Sequence, residues 1–155
     1  MDIYQRLKEL NIVLPEAPGA KASYVPVKMV GNIAYLSGQG AFLDGKLLNT
    51  GKVGKDITVK QAQEAARQTA INILATLHEF LGDLNKVKSV VKLLGFVACA
   101  DGFNEQPSVI NAASELFIDV FGENGRHARS AVGTNELPLG MSVEIESVFE
   151  IDIPG

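Results

Sequence analysis

The chain has 155 residues, 46% of them hydrophobic and 21% charged, with a net charge of -4, one cysteine and no tryptophan. That length is enough for one domain, residues 1–155, to bury a continuous core. The acidic balance, with no run of Lys and Arg, argues against a nucleic-acid-binding face. A lone Cys99 excludes an internal disulfide and a Cys-rich metal site. No stretch approaches the roughly 18 apolar residues of a membrane span.

Met1 to Arg6 shows no basic segment leading into an apolar one, so no secretory leader is expected and the expected location is cytoplasmic. Asp2 to Leu10 reads as a short amphipathic helix with Ile3, Leu7 and Leu10 on one side. Residues 11–23 carry Pro15, Pro18 and Gly19 and read as an irregular arm. Tyr24–Val30 and Ile33–Ser37 flank Gly31-Asn32, a two-residue hairpin signal, and Pro26 pushes the first of these strands towards a sheet edge.

Residues 40–57 read as loop, with one short strand near Leu47. Gly51-Lys52-Val53-Gly54-Lys55 lacks the spacing of a phosphate loop. Thr58-Val59-Lys60-Gln61 is a capping box, and the helix behind it runs to Leu81 with Ala62, Ala66, Ala70, Ile73 and Leu77 at helical spacing and Gly82 as its stop. Val87 to Cys99 is almost continuously apolar, as expected of a central strand covered on both faces, with Cys99 a buried structural thiol. Pro107 to Phe121 reads as a second helix facing inward through Val109, Ala113, Leu116 and Val120. A strand around Arg129, a turn from Asn135 to Gly140 and a last strand from Ser142 to Ile153 complete the chain.

This order predicts an α+β fold, a mixed β-sheet with two helices packed on one face. In the last strand Val143, Ile145, Phe149 and Ile151 alternate with Glu144, Glu146, Glu150 and Asp152. The first set is core; the second points away from the helices, towards solvent or an interface. Arg129 lies in an apolar stretch, Ala128-Arg129-Ser130-Ala131-Val132, fifteen residues before Glu144. A guanidinium fork suits a carboxylate ligand, and a carboxylate suits proton transfer. A structural ion pair for Arg129 and a solvated acid for Glu144 are the plainer readings.

Tyr24 ahead of Gly31-Asn32, Ser37-Gly38-Gln39, Asn111 opening the second helix, Ala128-Arg129-Ser130, Leu137-Pro138 and Val143-Glu144-Ile145-Glu146 together resemble the RidA/YjgF family of imine deaminases over roughly residues 24–153. The resemblance implies a chorismate-mutase-like fold of the bacterial type, a homotrimer with clefts between subunits, and no cofactor or metal. It implies hydrolysis of 2-imino or enamine acids to 2-oxo acids and ammonia. Arg129 would clamp the substrate carboxylate and Glu144 would orient or activate water, with Tyr24, Ser37, Gly38 and Asn111 lining the cleft.

The chain departs from the family's compact members. Residues 1–20 are an N-terminal extension and residues 41–55 are longer. His127 replaces the usual proline, and Ala131 stands where many have cysteine. These mark a longer-chain subgroup. His127, on a polar loop, and His78, read as a surface residue, receive no catalytic role. The alternative to imine hydrolysis is a non-catalytic trimer that binds small carboxylates or serves a regulatory role. An endoribonuclease, an activity attributed to relatives named L-PSP, ranks last because the chain offers neither a basic groove nor paired histidines.

Overall fold

The computed structural model describes residues 1–20 and 22–153. In chain order these form helix α1 (Ile3–Glu9), strands β1 (Val27–Val30), β2 (Ile33–Gln39), β3 (Phe42–Leu43) and β4 (Lys46–Leu47), and the long helix α2 (Val59–Leu81). Strand β5 (Val87–Ala98), helix α3 (Gln106–Phe121) and strands β6 (Ala128–Thr134) and β7 (Val143–Ile151) follow. The main sheet has the order β1-β2-β7-β5-β6. Strands β5 and β6 run parallel and the other neighbours antiparallel. The parallel pair needs a crossover, which α3 supplies. Helices α2 and α3 lie against each other on one face of this mixed sheet, as expected.

Helix α2 begins where its capping box closes. The Thr58 hydroxyl accepts from the Gln61 amide at 3.2 Å, and the Gln61 side chain accepts from the Thr58 amide at 2.9 Å. It ends at Gly82, which takes a left-handed φ of 77°. Its alanines 62, 65, 66 and 70 are fully buried and let it settle close to its neighbours. On α3 the close approach comes from the sheet instead. A Cβ added at Gly95 of β5 would stand 2.6 Å from Ile110, itself fully buried. Gly95→Ala is therefore expected to lower stability by about 1–3 kcal/mol through overpacking, read as a lower urea midpoint; an unchanged midpoint would show that α3 yields freely.

Helix α1 is tied down at several points. Asp2 caps it, Ile3 donates to Asn85 Oδ1 at 2.9 Å, and Arg6 Nε donates to the Asp119 carbonyl at 2.7 Å. The Tyr4 hydroxyl accepts from the Leu84 amide at 2.8 Å and meets His78 Nδ1 at 2.8 Å. His78 is exposed, but it is an anchor for the N-terminal helix.

Three details differ from the sequence reading. Strand β1 starts at Val27, not Tyr24, since Pro26 has no N–H to give and joins the hairpin only through its carbonyl, which accepts from Ser37 at 3.0 Å. Residues 40–57 hold a two-strand ribbon, turned by Asp44-Gly45 with both φ values positive (53° and 78°). The buried Asn72 of α2 pins it, donating to the carbonyls of Gly40 and Phe42 at 3.0 and 2.8 Å. Strand β5 is covered by the helices on one face only. Val90, Leu93 and Val97 are buried, whereas Leu94 and Phe96 look out from the other face with Tyr35 of β2 and Val132 of β6.

Candidate functional site

Strand β2 does not run straight past its partner. Leu36 faces Ser147 and Gln39 faces Ile145, so β2 spends one residue more than β7 over the same span. The resulting bulge holds Ser37 and Gly38 and turns them towards the open face of the sheet. Ser37 Oγ donates to the Val25 carbonyl at 2.7 Å, tying the strand to the arm that precedes β1. The Glu144 side chain lies directly over Gly38, where an added Cβ would come within 3.1 Å of its carboxyl carbon.

Around this carboxylate is a cavity of about 660 Å³, whose lining includes Tyr24, Ser37, Gly38, Phe96, Glu144 and Glu146. Burial raises the Glu144 carboxyl above the ordinary carboxylate value, and the neighbouring Glu146 charge raises it further. Glu144 is half-buried and Glu146 exposed. The third acid of this strand is differently placed: Glu150 pairs with Lys88 at 3.3 Å and accepts from Ser89 at 3.0 Å.

Arg129 is elsewhere. In the ladder it stands opposite Leu93, on the helix side, whereas Glu144 stands opposite Phe96 on the open side. Its Nη1 donates to Asn111 Oδ1 at 2.8 Å and to Ser114 Oγ at 3.2 Å, both on α3. No carboxylate among the described residues pairs with it, so no structural ion pair forms among them. Asn111 lies in the second turn of α3 rather than opening it.

Within one chain, then, the expected residues fall into two groups on opposite faces of the sheet: Tyr24, Ser37, Gly38 and Glu144 in the cavity, Asn111 and Arg129 at the β6 edge. Burial and Glu146, not the field of Arg129, govern the Glu144 carboxyl. Sequence reading passed over Ser114 and gave His127 no role. The spacing of Asn111 and Ser114, three residues apart on one helix face, was the available signal. His127 Nε2 lies 2.9 Å from Ser114 Oγ, and Nδ1 2.7 Å from the Gly125 carbonyl. Cys99 is half-buried just beyond β5, its sulfur 3.6 Å from Gln106 Nε2. Among the described residues no cluster of three or more His, Cys, Asp or Glu is placed to hold a metal, and no helix is long and apolar enough to cross a membrane.

A mixed sheet backed by two helices carries a carboxylate over a β-bulge on one face and, at the edge of the other, an arginine that no described carboxylate pairs, which defines a small α+β protein with two separate polar sites. The family model described as "YjgF/chorismate_mutase-like, putative endoribonuclease" matches residues 4–149, and the chain belongs to that family. Protein TCP17 of Trypanosoma cruzi is 42% identical over 94% of this chain and 92% of its own. A 2-iminobutanoate/2-iminopropanoate deaminase of Dermatophagoides farinae is 33% identical over 91% of this chain and 95% of its own. The crystal structure of Atu1372 from Agrobacterium tumefaciens, of unknown function, superposes with a TM-score of 0.90. It is 51% identical, covering 97% of this chain and 92% of its own.

Proposed function

We propose that this protein hydrolyses reactive 2-imino or enamine acids to 2-oxo acids and ammonia, in a cleft formed between two copies of the chain in a homotrimer. The carrying observation is that the arginine and the carboxylate occupy opposite faces of one sheet, each in an incomplete site. Among the described residues Arg129 has neutral acceptors and no counter-ion, and Glu144 has a cavity and no paired cation. A second copy that covers the open face would bring one chain's Arg129 to the other's Glu144. The apolar side chains left on that face, Tyr35, Leu94, Phe96 and Val132, suit such a partner.

In this cleft Arg129 holds the substrate carboxylate, with Asn111 fixing the guanidinium, and Tyr24, Ser37 and Gly38 line the pocket. Glu144 takes a proton from water as its oxygen bonds to the imine carbon and the C=N electron pair moves to nitrogen. Glu144 returns that proton to the nitrogen, giving the carbinolamine, and then takes the hydroxyl proton and delivers it to the nitrogen as the C–N bond breaks, so that the carbonyl forms and ammonia leaves. The deaminase relative supports the reaction class. A binding protein without turnover would need Arg129 but not Glu144.

A coupled assay tests the reading. A threonine dehydratase generates the imine in place, and 2-oxo acid release is followed with and without the protein. Acceleration that depends on Glu144 and Arg129 is the expected result; no acceleration across short, branched and aromatic imines would overturn it.

A further inference from the structure

We propose that His127 is a positioning residue for the carboxylate-binding arginine: acting through Ser114, it holds the Arg129 guanidinium while its ring is neutral and loosens it when the ring is protonated. The functional consequence rests on the clamp role of Arg129, but the contact chain stands on geometry alone. Gly125's carbonyl can only accept, so Nδ1, 2.7 Å away, carries the ring proton. Nε2 is then a bare lone pair, 2.9 Å from Ser114 Oγ, and takes that hydroxyl's hydrogen. Ser114 is thereby left to accept from Arg129 Nη1 at 3.2 Å, while Asn111 Oδ1 accepts from the same nitrogen at 2.8 Å. Every donor and acceptor has one consistent role.

The anchor is firm. A Cβ at Gly125 would collide with the Phe117 carbonyl, so the turn before β6 is pressed onto α3. Phe117 meets the imidazole edge-on, with ring centroids 6.5 Å apart. The groups facing the ring from α3, Ser114 and Phe117, and from the turn, Gly125, carry no charge. Among the described residues Arg129 is the one charge that acts on it. Arg126 and Glu123 pair with each other at the surface, and Lys92 of β5 lies next to the buried Leu93, on the opposite face. Burial, and then the Arg129 charge, lower the ring's pKa despite the Gly125 carbonyl, which favours its neutral form.

Protonation reverses the chain. Nε2–H would donate to Ser114 Oγ, the hydroxyl hydrogen would turn away, and one oxygen would face two cationic donors. The Ser114–Arg129 contact then weakens. Since the folded ring titrates below 6.5, this loosening sets in only below that value as pH falls.

The test uses the intact protein and its two histidines. Long-range ¹⁵N NMR, with His78→Gln for assignment, should show His127 as the Nδ1–H tautomer at pH 7.5, titrating below 6.5. Pyruvate binding should be about five- to tenfold weaker in His127→Phe, which lacks the acceptor, and near wild type in His127→Gln, which keeps one. As pH falls through the ring's titration, wild type should lose affinity by a similar factor relative to His127→Gln; Glu144 titrates alike in both and cancels. The Nε2–H tautomer, or superimposable pH profiles for wild type and His127→Gln, would overturn the proposal. If wild type binds no pyruvate at any pH, the clamp reading fails instead. The NMR arm then decides alone: an Arg129 Nη resonance protected from exchange in wild type but not in His127→Phe supports the relay, and equal exchange overturns it.

Discussion

Arg129→Ala is expected to weaken binding of small 2-oxo acids by about a hundredfold, the order seen when one partner of a desolvated charge pair is removed. The fold should survive. Among the described residues the guanidinium makes two hydrogen bonds, one of them to the exposed Asn111, and no ion pair, so its removal leaves no buried charge there uncompensated. Arg129→Lys separates charge from shape. It retains the charge but loses the planar fork that matches a carboxylate, and should recover affinity only in part. Calorimetric titration with pyruvate reads all three proteins. Equal affinity in Arg129→Ala and wild type would remove the clamp.

Glu144→Gln is expected to lower turnover by about a hundred- to ten-thousandfold, the range supplied by a positioned acid–base group, while pyruvate affinity changes little. The amide keeps the shape over Gly38 but cannot take a proton. The pH profile gives a second reading. Because the carboxyl sits above 4.5, wild-type turnover should fall as pH drops through that raised value, and the residual rate of the variant should not share this limb. Stability moves the other way. A carboxyl whose folded pKa is raised binds protons more tightly when folded, so ionising it costs stability as pH rises past 4.5. Glu144→Gln should therefore unfold at a higher temperature than wild type at neutral pH. A variant that is slower but less stable would point to damaged packing rather than lost chemistry.

The elements were legible where one physical signal decided them. Thr58 and Gln61 fix a helix start by satisfying each other's backbone, and Gly82 fixes its end. The alternation from Val143 to Ile151 fixes which side of β7 is core, and thus that Glu144 leaves the helix side. The site was less legible because it depends on ladder register. That Arg129 stands across from Leu93 and Glu144 from Phe96 puts them on opposite faces, and no local pattern states which residues pair. The Ser37-Gly38 bulge is likewise a mismatch between two strands far apart in sequence. Strand β5 misled for a related reason: Leu94 and Phe96 are apolar whether a helix of the same chain or another molecule covers them. His127 was discounted as loop polarity because its partners, Ser114 and the Gly125 carbonyl, come together only when α3 and β6 pack.

The most direct test of the two-chain cleft is complementation. Arg129→Ala and Glu144→Gln, each inactive alone, are co-expressed with different tags, doubly purified and assayed for imine hydrolysis. If each site takes its arginine from one chain and its carboxylate from another, the doubly purified trimers should regain up to about a third of wild-type activity, since in a trimer holding both variants about one site in three combines two intact halves. If both groups served from the same chain, every site would carry one defect, and the mixture would be as inactive as its parents.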